Sequence, residues 1–267
     1  MITRHDLVAA TVALTLLSPG AAFAVDIGTL HCNDANGNNL DNGSTVTVTG
    51  AVTLLYNKAA TLQMFIQDAT GGILVFGGSQ SQYCGNLGDN ITVTGKVAQY
   101  HGLTEVTNPL TVTLNSTGNP LPPPLALTPA QVNATFQADY CEPNEGVLAQ
   151  LACVYIRTAA GEVPAAGATF AGNTDYLLVD AFDPTSSTIL FITPPGTNTA
   201  CPEFNPLIGQ PIPLTCQTVT GVLTQYTSSS PYTSGYEMFP RLLTDLSPCG
   251  ATPARSTSWG SLKTLYR

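Results

Sequence analysis

Valine, isoleucine and threonine alternate along three stretches of this chain, and a glycine interrupts each of them. The stretches are T-V-T-V-T-G-A-V at 45–52, N-I-T-V-T-G-K-V-A-Q-Y at 90–100 and Q-T-V-T-G-V-L-T-Q-Y at 217–226. Alternation with a period of two predicts half-buried strands, and a glycine within such a run predicts a bulge or bend. V-T-G followed by Q-Y recurs 126 residues later (Val93 and Val219), which indicates a duplicated β-module.

Shorter apolar runs complete each copy. In the first copy, further strands are predicted at 62–68, 73–76, 103–106 and 110–114, with D-A-T-G-G at 68–72 as a hairpin turn. In the second copy, the matching runs are at 147–156, 176–180, 189–192 and 236–243. Several short, bent strands without a long helix favour a small closed barrel. We therefore expect an all-β chain of two tandem OB-like β-barrels, at 44–116 and 144–248.

Residues 117–143 are predicted to connect the two copies. The proline-rich sequence N-P-L-P-P-P at 119–124 favours a stiff linker over a flexible one. The sequence T-P-A-Q at 128–131 then combines a capping box with proline at the first helical position, which predicts one short helix over 129–137.

The N-terminus has the pattern of a secretory signal. Residues 1–24 contain the basic Arg4, an apolar run at 7–17 and the small-residue sequence A-F-A that ends at Ala24. We expect cleavage near Ala24 and a secreted, periplasmic or cell-surface protein. No later stretch is apolar enough to predict a membrane-spanning helix.

The C-terminal tail at 249–267 differs in composition from both modules. Trp259, Leu262, Leu265 and Tyr266 fall at helical spacing after a proline- and serine-rich stretch. This pattern is typical of a terminal segment docked on a barrel, and a sorting or assembly handle is the alternative.

All seven cysteines follow the predicted signal peptide. In an exported chain, disulfides are the expected state of cysteine. Zinc is the competing interpretation, but the chain has no C-x-x-C and only two histidines after the signal, so metal-ligand spacing is absent. We expect no metal site, and we expect pairs within each module: Cys32 with Cys84, and Cys201 with Cys216. Because seven is odd, at least one thiol is free or pairs between chains.

A lead-in rich in Asn, Asp and Gly occupies residues 25–43. Asp34, Asn36 and Asn38 match the start of a calcium-loop pattern, but Asn39 and Thr45 stand where an EF-hand needs glycine and glutamate. Asn, Asp and Gly also tolerate turn backbone angles, so we favour a solvated turn.

Four segments resemble the OB-fold-type domains of bacterial predicted extracellular nucleases. They are V-T-V-T-G-A-V (46–52), F-I-Q-D-A-T-G-G-I-L-V (65–75), L-G-D-N-I-T-V-T-G-K-V-A-Q-Y-H-G-L-T-E-V (87–106) and G-Y-E-M-F-P-R-L-L-T-D-L (235–246). In that family such domains form a tandem pair that precedes a catalytic nuclease domain. The resemblance covers most of 44–248 and implies a binding role. We expect the catalytic domain to be absent from this chain.

No catalytic pattern is found in the rest of the sequence. His31 and His101 lie in no acid–base setting, and no nucleophile elbow or phosphate-binding glycine loop occurs. Asp68 and Asp180 occupy equivalent hairpin positions, where turn capping explains them more simply than a carboxylate pair does. We therefore predict that the chain is not an enzyme and needs no cofactor.

OB barrels bind single strands through stacking aromatics and basic side chains, so single-stranded nucleic acid is the first partner that we predict. The candidate ligand-binding residues are Lys58, Lys96, Tyr100, His101, Arg157, Tyr226, Tyr236 and Arg241. Phe65 and Phe76 are either further stacking aromatics or barrel core, and we favour core.

Charge limits this prediction. The chain has 8 Lys+Arg against 17 Asp+Glu, a net charge of −9, and affinity for nucleic acid grows with the number of phosphates neutralised. Only weak binding is therefore expected. Oligosaccharide binding by the OB barrels needs aromatics and amides rather than cations, so a polysaccharide is the alternative ligand. Unpaired strand edges and the odd cysteine also suit a structural role through self-association or a surface partner.

Overall fold

A computed structural model describes residues 24–55, 61–78, 83–195 and 205–250. The first half of the chain forms a closed five-stranded barrel in the order β1-β2-β3-β5-β4, in which only β3 and β5 pair in parallel. Its strands are β1 (Thr45–Leu55), β2 (Leu62–Gln67), β3 (Gly72–Gly77), β4 (Asn90–Tyr100) and β5 (Leu103–Ser116). The two short runs predicted at 103–106 and 110–114 are one continuous strand.

The second half repeats this order. Strands β7, β8, β9, β11 and β10 follow one another around a ring that the β10–β7 pairing closes, and β9 and β11 form its parallel pair. The bounds are β7 (Leu148–Thr158), β8 (Thr174–Asp180), β9 (Ser187–Ile192), β10 (Gln217–Gln225) and β11 (Tyr236–Phe239). Two edge strands, β6 (Leu125–Leu127) on β7 and β12 (Leu246–Pro248) on β10, extend this sheet. The predicted pair of OB-like barrels is confirmed.

Alternation along the strands fills each barrel. On β4, for example, Ile91, Val93 and Val97 are buried while Lys96 is exposed. Each barrel has its own apolar cluster, one that includes Met64 and Ile73 and one that includes Leu178 and Met238. On β4, the alternation in the sequence therefore corresponds to the inside and the outside of the barrel.

The glycine of each V-T-G sequence lies where a neighbouring strand comes close. A Cβ atom at Gly95 would lie 2.6 Å from the carbonyl oxygen of Thr107, and one at Gly221 would lie 2.8 Å from that of Phe239. The β4–β5 register also shifts at Gly95, so the predicted bulge is confirmed there. At Gly50 itself the register does not shift: β1 pairs with β4 without interruption, and its register with β2 shifts two residues later, between Val52 and Leu54.

We expect Gly95→Ala and Gly221→Ala each to lower the free energy of unfolding by about 1–3 kcal/mol, because the partner strand must shift to admit a methyl group. Chemical denaturation measures the change. Gly250→Ala is the control, since a Cβ there meets no atom within 4 Å. Variants at 95 and 221 as stable as this control would contradict the close-approach explanation.

The predicted short helix is confirmed and ends early. It covers Pro129–Asn133, and Thr128 and Gln131 form the reciprocal hydrogen bonds of a capping box. The turn interpretation of Asp68 and Asp180 is also confirmed. Asp68 Oδ1 accepts from the backbone of Thr70 and Gly71, and Asp180 Oδ1 accepts from the backbone two residues later.

The lead-in forms turns at its tip and again at 40–43, as predicted. Asp34 accepts from the backbone of Asn36 and Asn38, as expected for an Asx turn. The residues before the tip are not solvated, however, because the 3₁₀ helix Ile27–Leu30 joins the first barrel's core and His31 is 1% exposed. The expectation of a solvated lead-in is therefore wrong for residues 27–33, whereas Leu40, Asn42 and Gly43 after the tip are exposed as expected.

The disulfide pairing predicted from the sequence is wrong. Cys32 of the lead-in is bonded to Cys141, 109 residues away, where the two residues face each other in an antiparallel bridge. Cys84 is in a disulfide, but not with Cys32. Cys216 is a free thiol, so the predicted Cys201–Cys216 pair does not form. Proximity in sequence misleads here because the lead-in crosses over to the linker segment.

A third apolar cluster joins the two barrels. It contains Leu54, Phe65, Leu74 and Leu103 of the first barrel together with Leu148, Val222 and Phe239 of the second. Phe65 is 1% exposed, so its interpretation as a stacking aromatic is wrong and its core role is confirmed, although it serves the core between the barrels. The barrels are therefore packed face to face, not merely tethered.

Backbone contacts fix the same junction. Gly72, at the start of β3, and Gly146, just before β7, lie so close that a Cβ on either one would overlap the carbonyl of the other. Leu148 N donates to Gln67 Oε1 (2.8 Å) across the junction. Only glycine permits so close an approach, because it has no Cβ atom. The packing of the two barrels in this arrangement therefore requires glycine at 72 and 146.

Several predictions fall outside the described residues. These are the signal peptide up to residue 23, Lys58, Cys201 and the tail from residue 251. Within the described ranges, no helix has the length and apolar character needed to cross a membrane.

Candidate functional site

The turn between β4 and β5 has the geometry of a two-residue hairpin. Tyr100 pairs with Leu103, and the two residues between them have positive φ angles, 53° at His101 and 99° at Gly102. Two positive values are what a type I′ turn requires, and glycine at the second position accommodates them. The turn therefore carries Tyr100 and His101 at the outer tip of the first barrel.

The loop between β10 and β11 occupies the equivalent position in the second barrel and touches this turn. Thr227 N donates to the carbonyl of His101 (2.7 Å), and His101 Nδ1 lies 3.1 Å from the carbonyl of Thr227. Because a carbonyl only accepts, Nδ1 carries the proton in this contact. These two hydrogen bonds hold corresponding loops of the two barrels side by side.

Three rings meet at this contact and form what we call the aromatic cluster: Tyr100, His101 and Tyr226. The His101 ring packs edge-on against Tyr100 with centroids 4.3 Å apart, and lies at 34° to Tyr226 with centroids 4.6 Å apart. Tyr100 is 58% exposed and Tyr226 is 52% exposed. The structure thus unites three of the candidate residues from two barrels in one accessible surface.

The glutamines beside these tyrosines support the loops. Gln99 Nε2 donates to the carbonyls of Gly37 and Gly102, both at 2.8 Å. Gln225, the equivalent residue in the second barrel, donates to the carbonyls of Tyr232 and Ser234. The repeated Q-Y pair therefore combines an amide that stabilises the loop with a ring that faces solvent.

Basic candidates contribute little to this surface. Lys96 is exposed on β4, four residues before Tyr100 and on the same outer face, about 13 Å away along the strand. Arg157, on β7, lies over the ring of Tyr155 at 4.8 Å and donates to the carbonyl of Ile156. Lys58 lies outside the described residues.

Tyr236 and Arg241 are structural, which corrects their assignment as ligand-binding candidates. Tyr236 is 2% exposed, and its hydroxyl bonds to Glu142. The guanidinium of Arg241 is held by Asp245 at 2.8 Å and donates to the carbonyl of Thr53 in the other barrel (3.2 Å). Their positions at the barrel junction explain why neither can stack on or pair with a ligand.

Sequence reasoning missed a buried polar cluster, formed by His31, Asn33, Glu142, Glu145 and Tyr236. His31 Nε2 donates to the carbonyl of Gly72 (2.7 Å), and Nδ1 lies 3.1 Å from Glu145 Oε1. Glu145 also accepts from the backbone of Thr104 (2.9 Å), and Glu142 accepts from Asn33 (2.6 Å). The cluster joins the lead-in to both barrels.

The buried polar cluster contains a carboxyl group with a raised pKa, but its burial makes it inaccessible to substrates. Burial, and then the neighbouring Glu145 carboxylate, raise the pKa of Glu142. A carboxyl group with a strongly shifted pKa is a common sign of a functional site. However, His31 is 1% exposed and both glutamates are 0% exposed, so the cluster acts as a hydrogen-bonded support for the junction. No sequence motif marks it, because its members come from three distant parts of the chain, and His31 and Glu145 alone are 114 residues apart.

Two equivalent glutamates make stability depend on pH. Burial raises the pKa of Glu105 on β5 to about 7, and burial with the nearby Asp175 carboxylate raises that of Glu237 on β11 to about 8. Since both folded-state values exceed the ordinary 4.5, the folded protein binds protons more tightly than the unfolded chain. Stability is therefore fully present below about pH 4.5 for these groups and is lost as pH rises toward 8.

We expect the free energy of unfolding to fall between pH 5 and pH 8, with a slope of up to about 1.4 kcal/mol per pH unit for each glutamate. Denaturation at several pH values measures the slope. The Glu105→Gln/Glu237→Gln double variant should show a flatter profile, whereas the exposed control Glu162→Gln should keep it. An unchanged slope in the double variant would contradict the assignment.

Comparisons with known proteins give partial matches. No protein-family model matches the chain. Over 110 residues the chain is 34% identical to Endonuclease YhcR of Bacillus subtilis (strain 168), which covers 40% of this chain and 9% of that protein. The match therefore spans less than a tenth of the relative's length.

Two solved structures resemble this chain only weakly. Asparaginyl-tRNA synthetase from Pyrococcus horikoshii matches 31% of this chain and 22% of its own, at 19% identity and a TM-score of 0.26. A murine DNA-binding protein bound with double-stranded DNA matches 76% and 95%, at 9% identity and a TM-score of 0.34. Scores this low carry no argument. The chain is thus a tandem OB-like module with a stretch similar to part of a bacterial endonuclease.

Proposed function

We propose that this chain is a secreted, non-catalytic module that binds single-stranded nucleic acid at the aromatic cluster. The observation that carries the proposal is the meeting of Tyr100, His101 and Tyr226 at the β4–β5 turn and its β10–β11 equivalent. In OB folds, the loop between the fourth and fifth strands takes part in binding oligonucleotides and oligosaccharides. Exposed aromatic rings there offer stacking surfaces for bases.

Two further observations support the proposal. The similarity to part of an endonuclease places a related sequence within a protein named for acting on nucleic acid. The Cys32–Cys141 disulfide is compatible with an oxidising, extracellular setting. The role proposed is to hold a strand, with any cleavage carried out by another domain or protein.

The small number of exposed basic side chains determines the expected affinity and its dependence on salt. Of the Lys and Arg side chains in the described ranges, Arg241 is buried against Asp245 and Arg157 lies on Tyr155, which leaves Lys96 exposed near the cluster. Binding that rests on stacking and one or two phosphate contacts has a salt slope near −1, since each contact contributes roughly −0.7 for single strands. We therefore expect low affinity that changes little with salt.

Net charge supports a second candidate, a neutral polysaccharide. A chain with a net charge of −9 repels a polyanion at long range, whereas sugar rings pack on tyrosine without needing cations. The same aromatic cluster would serve this ligand, so variants of its tyrosines affect both functions, and direct comparison of the ligands separates them.

We expect a labelled single-stranded oligonucleotide to bind in the micromolar range. Tyr100→Ala or Tyr226→Ala should each weaken binding about 5- to 150-fold, because a stacked base is worth roughly 1–3 kcal/mol. Fluorescence anisotropy at two salt concentrations measures affinity and slope together. Tyr140→Ala is the matched control, since that tyrosine is 45% exposed but lies outside the cluster.

Two outcomes would refute the proposal for nucleic acid. One is binding no tighter than the high micromolar range at low salt. The other is binding that Tyr100→Ala and Tyr226→Ala leave unchanged. If a neutral oligosaccharide binds instead and both tyrosine variants weaken it, the second candidate is correct.

A further inference from the structure

Three free cysteines from three adjacent strand segments converge in the second barrel. Cys153 lies on β7, Cys216 directly precedes β10, and Cys249 directly follows β12. Their Sγ atoms all lie within 4.8 Å of one another, and all three residues are partly buried. The sequence gives no hint of this cluster, because its members are 63 and 33 residues apart.

The local backbone explains how the sulfurs converge. Cys249 N donates to the carbonyl of Cys216 (3.2 Å), which continues the β10–β12 ladder by one pair and sets these two residues opposite each other. Cys153 lies where the β7–β10 register shifts, and its φ of 56° is a left-handed value that costs a non-glycine residue energy.

We propose that Cys153, Cys216 and Cys249 form a three-thiolate binding site for one soft d¹⁰ metal ion, Zn(II) or Cu(I). Thiolate ligands select these ions. Three sulfurs bound to one ion at about 2.3 Å lie about 3.8 Å apart, so each sulfur needs to move by about 1 Å or less. Binding releases the thiol protons and leaves one position open for water or another ligand.

The electrostatics of the cluster suits a cation. A bound cation supplies the charge that lets several thiolates coexist. The ion would also fasten β12, a strand of only three residues, to the barrel. This site lies at the opposite end of β10 from Tyr226, about 30 Å away, and is independent of the proposed function.

Metal protection of the thiols provides the test. The protein is purified under argon, and alkylation followed by peptide mass spectrometry reports the state of each cysteine. We expect Cys153, Cys216 and Cys249 to be alkylated without metal and protected by one equivalent of Zn(II) or Cu(I), with separate titrations to identify the preferred ion. Cys32 and Cys141 should remain disulfide-bonded throughout.

Binding of Co(II) to the unsubstituted protein gives a second, spectroscopic readout. Intense sulfur-to-cobalt charge-transfer absorption should appear with one ion per chain. It should be lost in Cys216→Ser and kept in Thr218→Ala, a neighbouring control on β10. A disulfide among the three cysteines in the purified protein, or thiols that neither ion protects, would overturn the proposal.

Discussion

The Cys32→Ser/Cys141→Ser double variant should lose about 4–5 kcal/mol of unfolding free energy. The disulfide closes a loop across a separation of 109 residues, and on the chain-entropy model a loop of about 100 residues contributes roughly 4.7 kcal/mol. It also ties the lead-in, with its buried His31, to the segment that carries Glu142. Urea denaturation followed by circular dichroism measures the difference.

A Cys32→Ala/Cys141→Ala variant controls for the polarity of serine, and both variants should be destabilised alike. For a chain of this size, the loss corresponds to a fall in melting temperature of about 10 °C. Unfolding free energies within about 1 kcal/mol of the wild type would show that the disulfide does not restrict the unfolded chain in this way.

The second large effect is expected at the glycine contact between the barrels. Gly146→Ala should cost about 3 kcal/mol or more, because Gly146 has a φ of 76° and its new Cβ would overlap the backbone of Gly72. The two barrels must separate to relieve this overlap. Chemical denaturation measures the loss of stability, and the oligonucleotide affinity reports whether the two loops remain together.

Gly161 offers a matched control for the backbone strain alone. Its φ is 83°, but a Cβ there meets no atom within 4 Å. Gly161→Ala should therefore cost about 1 kcal/mol. If the two variants are equally stable, the contact between Gly72 and Gly146 does not hold the barrels together.

The sequence was sufficient to predict the barrels because their signals are local. Alternation along β4 marks the inner face, and the glycines of V-T-G mark close approach of a neighbouring strand. Thr128 and Gln131 predict a helix start through contacts three residues apart. Asp68 likewise caps its own turn. In each case, the residues that form the element contain the information that defines it.

What the sequence could not predict depends on contacts between distant segments. Phe65 has the pattern of a barrel strand, and nothing in that pattern shows that it packs against Leu148 and Phe239 of the other copy. His31 and Glu145 meet only because the lead-in folds into the junction. Disulfide partners and the three-cysteine cluster are hidden for the same reason, since neither has a sequence spacing of its own.

The candidate site was predictable in part. Tyr100, His101 and Tyr226 were identified because the repeat ends in an aromatic residue at a predicted turn. Residue type alone suggests Tyr236 and Arg241, but both side chains are buried at the junction and are unavailable to a ligand. That the two copies place their tyrosines on one shared histidine follows only from the packing of the barrels.

The central claim is that the two barrels form one binding surface, and the stoichiometry of a short ligand tests it most directly. Isothermal titration with a single strand of about six nucleotides should give one site per chain, weakened by Tyr100→Ala and by Tyr226→Ala alike. Two sites per chain, with each substitution affecting only one of them, would show that the barrels bind independently and would contradict this account.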